Sequence, residues 1–315
     1  MAQIYGRPGV ENNLLNNCPP EINSFDDIKP TTVKYINDLE QKRKTFFEKL
    51  PELIQKEKDK LVELQKNRID IEVYWNEKIN SIKKSLELKK WQIWKYVDIF
   101  FKEYVSKPKA IKNAENNIEI QKNFINKLEH RPETVFAKEQ SVLINNINLL
   151  ERNINSPDYS GAYGEIQVCN ELKKLDNNYH IFCDVKVTLG DYIRYHNVRN
   201  LKTAQMDFVV VGPTGIFIIE VKNRGIDYLK QHYGLSPYEQ VDRASLVLWV
   251  YLKQHSFFFK PRITKVLVSI QHNLEYNSYY KSVLVKDVNN IRQFICKNFN
   301  VLSDSEIRKV VSLLN

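Results

Sequence analysis

Two acids and an amine cluster in one short stretch of this chain. It runs Gln205-Met206-Asp207-Phe208, three valines, Gly212-Pro213-Thr214-Gly215, then Ile216-Phe217-Ile218-Ile219-Glu220-Val221-Lys222. Residues two apart on a strand face the same side, so Glu220 and Lys222 point together and Val221 points to the other, buried side. Carboxylates are costly among buried apolar strands unless something compensates their charge. Hard divalent cations prefer oxygen ligands, and a bound cation activates water for hydrolysis. A fourth group, Glu165, lies in the first turns of a helix begun at Gly161-Ala162-Tyr163-Gly164. These groups are suited to metal-assisted hydrolysis. A lysine beside them would orient the attacking water and neutralise charge developing on a phosphate.

The elements that must hold these groups follow from local patterns. Two apolar, β-branched runs meeting at Pro-Thr-Gly predict a β-hairpin, Met206–Val211 and Gly215–Val221. Around it the pattern predicts a helix over 162–175, a strand over 179–188, a helix over 237–254 and a strand over 263–270. A short strand over 282–285, a helix over 288–298 and a closing helix over 303–314 complete the domain. Ser303 and Glu306 form a capping box at the start of that last helix. Residues 190–203, rich in charge and aromatic rings, are expected to be a loop.

Upstream the composition differs. Residues 1–32 hold Asn12, Asn13, Asn16, Asn17, Pro19, Pro20 and Pro30 and are expected to be irregular. Residues 33–155 read as a helical arm, without glycine up to about residue 153. Phe47, Ile54, Leu61, Trp75 and Ile82 recur by sevens with Arg68 in one slot. Leu50, Leu64 and Ile71 keep a parallel row broken by Glu57 and Lys78. A break or kink is expected at Pro51, and a helix on to Val105. A turn is expected at Ser106-Lys107-Pro108-Lys109, then a second seam: Ile111, Ile118 and Ile125 beside Ala114, Gln121 and Leu128. Past Pro132, Val135, Val142 and Leu149 resume the seven-residue step. The arrangement expected is an antiparallel helical hairpin of coiled-coil type that mediates self-association. Residues 156–315 form the catalytic domain in this division.

With these blocks in place, the stretch from Asp158 to about Leu252 resembles the nuclease-related domain, NERD, of the PD-(D/E)xK nuclease superfamily. The matching features are Gly161-x-x-Gly164-Glu165, then Gln205-Met206-Asp207, then Gly215 through Glu220-Val221-Lys222-Asn223, and Pro237-x-x-Gln240 opening a helix. Met206 stands where the superfamily's name has proline. The resemblance implies a restriction-endonuclease-like α/β fold, a mixed sheet flanked by helices, joined to an all-α hairpin. It implies a Mg²⁺- or Mn²⁺-dependent nuclease that hydrolyses phosphodiester bonds. Asp207 and Glu220 would hold the metal, with Glu165 as a further carboxylate. Lys222 would position the nucleophile, and Gln240 would hold a phosphate or water. Gln205 would hydrogen-bond near the site. In a bacterium this would suit antiviral defence against foreign DNA.

The rest of the sequence bounds the reading. Net charge is +9, from 47 Lys and Arg against 38 Asp and Glu, which fits a phosphate-rich partner and an ordinary soluble basic protein alike; the resemblance implies nucleic acid as partner, DNA favoured. Arg194, Tyr195, Arg199 and Lys202, just before Asp207, are candidate nucleic-acid contacts. The histidines and the four scattered cysteines show no zinc spacing, and reduced thiols suit a cytoplasmic protein. No phosphate-binding Gly-Lys-Ser/Thr loop and no serine or cysteine hydrolase signature occurs. Met-Ala-Gln-Ile-Tyr-Gly-Arg-Pro lacks the apolar stretch of a signal peptide, and no integral membrane segment is expected. Trp91 to Val105 comes closest, yet it carries Lys95, Asp98, Lys102 and Glu103 and reads as amphipathic. Two other readings stand beside the nuclease. One is a non-catalytic nucleic-acid-binding or scaffolding protein acting through its arm; the other is a membrane-surface or partner adaptor built on Trp91–Val105.

Overall fold

The computed structural model describes residues 1–87, 93–196, 198–223, 235–255, 261–271, 274, 277–297 and 299–315. They divide into two compact units: residues 1–32 with 148–315, and residues 33–147.

The first unit is built on a mixed sheet. Its strands are β1 (Gln3–Tyr5), β2 (His180–Tyr195), β3 (Val198–Gly212), β4 (Gly215–Lys222), β5 (Ile263–Ser269) and β6 (Val283–Asp287). Among the described residues they lie side by side in chain order. β2, β3 and β4 are antiparallel neighbours; β1 runs parallel to β2, and β5 and β6 run parallel to β4. The expected hairpin is β3–β4. Gly212 pairs with Gly215 across a turn of only Pro213 and Thr214, and Gly215 takes φ +133°, open to glycine.

Alternation along β3 and β4 feeds two cores, because successive side chains leave opposite faces. Val209, Val211, Ile216 and Ile218 pack with Val241, Ala244, Val247 and Leu248 of a helix at Pro237–Gln254. Phe208, Val210, Phe217, Ile219 and Val221 pack with Val168, Cys169 and Leu172 of a helix at Pro157–Leu172. Asp207, Glu220 and Lys222 continue the first row.

The helices are α1 (Gly9–Asn16), α2 (Ile28–Glu87), α3 (Ile93–Phe101), α4 (Lys107–His130), α5 (Pro132–Glu139), α6 (Ser141–Ile154), α7 (Pro157–Leu172), α8 (Pro237–Gln254), α9 (Val288–Cys296) and α10 (Asp304–Leu314). α10 carries the expected capping box: Ser303 N–H and Oγ both donate to Glu306, and Glu306 N–H returns to Ser303 Oγ.

Two expectations for this unit change. Residues 1–32 are ordered: β1 joins the sheet edge through the register Gln3↔His180, and α1 follows. Residues 190–195 and 198–203 are strand, because Ile193 pairs with Leu201, Arg194 with Arg199 and Tyr195 with Val198. Backbone pairing and the inward Leu189 and Leu201, both buried, outweigh the polar composition.

In residues 33–147, both expected rows of α2 line its half-buried stripe, including the polar members Glu57, Arg68 and Lys78. Polar cross-links fill the gaps those members leave. Gln121 Nε2 donates to Glu57 Oε2 at 2.7 Å. Arg68 bridges to Glu115 at 3.2 Å, Lys107 to Asn76 at 2.7 Å and Lys83 to Glu103 at 3.1 Å. Numbers rise on one helix as they fall on the other, so α2 and the α3–α4 run are antiparallel. Ile125 and Leu128 are buried in the second seam.

Helix ends depart from the sequence expectations. α2 passes through exposed Pro51 and ends at Glu87, about 90 Å from its start at 1.5 Å per residue. The expected turn at Ser106–Lys109 is helical. Lys102–Ser106 form one π-helical turn in which Lys107 N–H reaches Lys102 O, and Pro108 falls in the first turn of α4, where its missing N–H is tolerated. α3 already packs on α2, through Ile99 against Ile79 and Ile82. Val142 and Leu149 are exposed, while Ile147 and Leu150 are buried. The non-helical backbone of Arg131 and Gln140 shifts the helical phase at each restart.

Candidate active site

Glu220 and Lys222 sit at the end of β4, a central strand. Lys222 Nζ donates to Glu220 Oε1 at 2.6 Å. Asp207, on β3, accepts the Val221 backbone N–H through Oδ2 at 2.7 Å. This bond ties the acid of one strand to the backbone between the acid and amine of the next.

Glu165 arrives from α7. Its position depends on a close approach of backbone to strand end. A Cβ built on Gly164 would stand 2.9 Å from Asn223 Cβ and 3.3 Å from Ile270 Cγ1. Asn223, just past Lys222, clamps the helix start by donating from Nδ2 to Ser160 O at 2.6 Å and to Ser160 Oγ at 3.2 Å. Glu165 Oε2 accepts the Val10 backbone N–H at 3.1 Å, in the first turn of α1.

The charges feel one another. Burial raises the Glu165 carboxyl to about 7, with Asp184 and Glu220 adding to the rise against the Val10 N–H and Lys222. Asp207 is held well above the ordinary aspartate range, first by burial and then by Glu220 and Glu165. Burial pulls the Lys222 ammonium down, yet Glu220 and Asp207 leave it above its ordinary value. The structure therefore brings Glu165, Asp207, Glu220 and Lys222 into one electrostatic group. Among the described residues, no three His, Cys, Asp or Glu side chains stand close enough to form a finished metal cage. The donor chemistry still suits a hard cation: three carboxylates and one ammonium leave an excess of negative charge, and the raised acids mark the cost of that excess without a cation.

Gln240 lies in the first turns of α8, on the helix packed over that face. Its Nε2 donates to Leu235 O at 3.3 Å, and its buried Oε1 has no partner among the described residues. Gln205 is exposed and donates to Asp184 Oδ1 at 2.5 Å. Arg194 is exposed, and the Lys202 ammonium lies 5.5 Å over the Tyr192 ring. The Arg199 side chain lies outside the described residues. Tyr195 does not offer an open contact: it is buried, its hydroxyl donates to Asp242 Oδ2 at 3.0 Å, and the Arg243 guanidinium covers its ring at 5.1 Å.

Two contributors escape sequence reasoning. Asp184, on β2, takes φ +52°, unusual for a non-glycine residue, and its charge reaches Glu165. A Cβ on Gly9 would meet the Asp184 carboxyl carbon at 2.6 Å. The Val10 N–H comes from 155 positions upstream of Glu165. No local pattern marks either one.

No curated protein and no solved structure matches the chain. Residues 160–270, the segment that holds Glu165, Asp207, Glu220, Lys222 and Gln240, match the family model of the nuclease-related domain, NERD.

Proposed function

We propose that the protein is a metal-dependent nuclease that hydrolyses phosphodiester bonds, with DNA as the favoured substrate. The carrying observation is the electrostatic group of Glu165, Asp207, Glu220 and Lys222 inside the segment that matches a nuclease-related domain. Asp207 and Glu220 would hold Mg²⁺ or Mn²⁺, with Glu165 beside them; Mg²⁺ needs only one or two carboxylates because it keeps several waters. When bound, the ion supplies charge neutralisation on the phosphate and a water of lowered pKa.

The chain's own residues do the rest. Val221 N–H fixes the Asp207 carboxylate. Lys222, steered by Glu220, is placed to orient the attacking water and meet charge developing on the phosphate. Gln240 Oε1, without a partner among the described residues, is an acceptor suited to a water or a substrate hydroxyl. Arg194, Lys202 and Gln205 supply backbone contacts. Self-association through the helical hairpin, a cytoplasmic site of action consistent with the free thiols, and defence against foreign DNA complete the proposal.

The test is cleavage of supercoiled and linear DNA and of RNA with Mg²⁺ or Mn²⁺, comparing the natural chain with Asp207→Ala and Lys222→Ala. Metal-dependent cleavage lost in both variants supports the assignment. Cleavage that survives both refutes this site. Tight DNA binding with no cleavage by the natural chain would favour the non-catalytic binding protein instead.

A further inference from the structure

The end of the hairpin that α3 occupies is built inside out. Among its described side chains, Ile99 is the one buried apolar residue of α3, packed against Ile79 and Ile82 of α2. Lys102 and Glu103, in the π-helical turn, also lie partly covered; Glu103 pairs with Lys83, and Lys102 with Asp98. Trp94 is 85% exposed, and Tyr96, Val97, Phe100, Phe101 and Tyr104 are all exposed. At 3.6 residues per turn these six fall on about half of the helix circumference. Most of the apolar side chains here face solvent, while Ile99 and the partly covered Lys102 and Glu103 face the partner helix.

Charge distinguishes what could cover that face. Residues 81–112 contain nine lysines and three acids, six of the chain's nine net positive charges. A second copy of the same end would bring like charge to like charge. A duplex would satisfy the lysines and leave the rings wet. A bilayer interface with anionic headgroups satisfies both. Aromatic rings settle at the headgroup boundary, and lysine stems reach back to phosphate. No described helix is long and apolar enough to cross a membrane, so the segment would lie in the interface.

We propose that this end of the helical hairpin binds the surface of an anionic lipid bilayer, with Trp94, Phe100 and Phe101 in the headgroup–acyl boundary. The proposal does not depend on the nuclease reading. Its test is flotation of the full chain with vesicles of phosphatidylcholine alone and of phosphatidylcholine mixed with phosphatidylglycerol, at low and high salt. The expected result is capture by anionic vesicles, weakened by salt. Phe100→Ser with Phe101→Ser would lower it by about tenfold or more, and Trp94→Ser would lower it separately. All three positions are exposed, so helical content by circular dichroism should stay unchanged. Capture equal in the variants and the natural chain overturns the proposal. So does absence of capture, whether the same substitutions then abolish self-association, which makes the face an interface between copies, or abolish oligonucleotide binding.

Discussion

Replacing Gly164 with alanine should separate placement of Glu165 from stability of the fold. The added methyl would sit 2.9 Å from Asn223 Cβ and 3.3 Å from Ile270 Cγ1. Carbon atoms rest at about 3.5–4.0 Å, so helix α7 must move away from the strand end by roughly 0.6–1 Å. Overpacking of this kind costs about 1–3 kcal/mol. Alanine returns about 1 kcal/mol through helix propensity, so the net loss is about 1 kcal/mol, or roughly 2–4 °C in Tm for a domain of this size. The catalytic effect is larger, since a misplacement near 1 Å costs about a hundredfold in rate. Gly161→Ala is the internal control. Its methyl would meet Val10 Cγ1 at 3.4 Å, an ordinary contact, so it keeps activity and gains about 0.5–1 kcal/mol from helix propensity. Metal-dependent cleavage rates and thermal unfolding of the two variants decide the matter. If Gly164→Ala cleaves within threefold of the natural chain, close approach of α7 does not place Glu165.

Val10→Pro removes the N–H that Glu165 accepts, at a first-turn position that tolerates proline, whereas Val10→Ala trims the side chain and keeps the N–H. About tenfold lower kcat in Val10→Pro than in Val10→Ala, with KM unchanged, is expected for loss of one such bond; equal kinetics would refute a positioning role for α1. Asp207→Asn keeps an acceptor for the Val221 N–H while removing a buried charge crowded by Glu220 and Glu165. It should abolish cleavage and raise Tm in metal-free buffer, and a fall in Tm would contradict the crowding argument. Tyr195→Phe, which deletes the hydroxyl bonded to Asp242, should cost about 1 kcal/mol of stability without changing DNA affinity. Arg194→Ala should leave stability alone and lower the salt slope of DNA binding by about one.

The legible parts of this protein are those whose period is local. The heptad rows of α2, Glu220 with Lys222 on one strand face, and the Ser303 capping box each repeat over a few residues, and each holds in the structure. Two kinds of feature were not legible. Where a helix yields to Pro108 depends on whether backbone can widen into a π-turn, which composition does not encode. Contacts between distant segments leave no period at all. Asp184, on β2, occupies the space that a Cβ on Gly9, at the start of α1, would need, though 175 positions separate the two. The order of residues 1–16 has the same origin: β1 adds to a sheet edge and α1 packs on α7, both elements more than a hundred residues away. The site divides along the same line. The carboxylates and the lysine are visible as types at spacings, whereas the groups that aim Glu165, namely Val10 N–H and the bare face of Gly164, carry no chemistry of their own. They become meaningful only when α1, α7 and β4 converge, so a nuclease-related segment taken without residues 1–16 would keep its acids and lose the N–H that orients one of them.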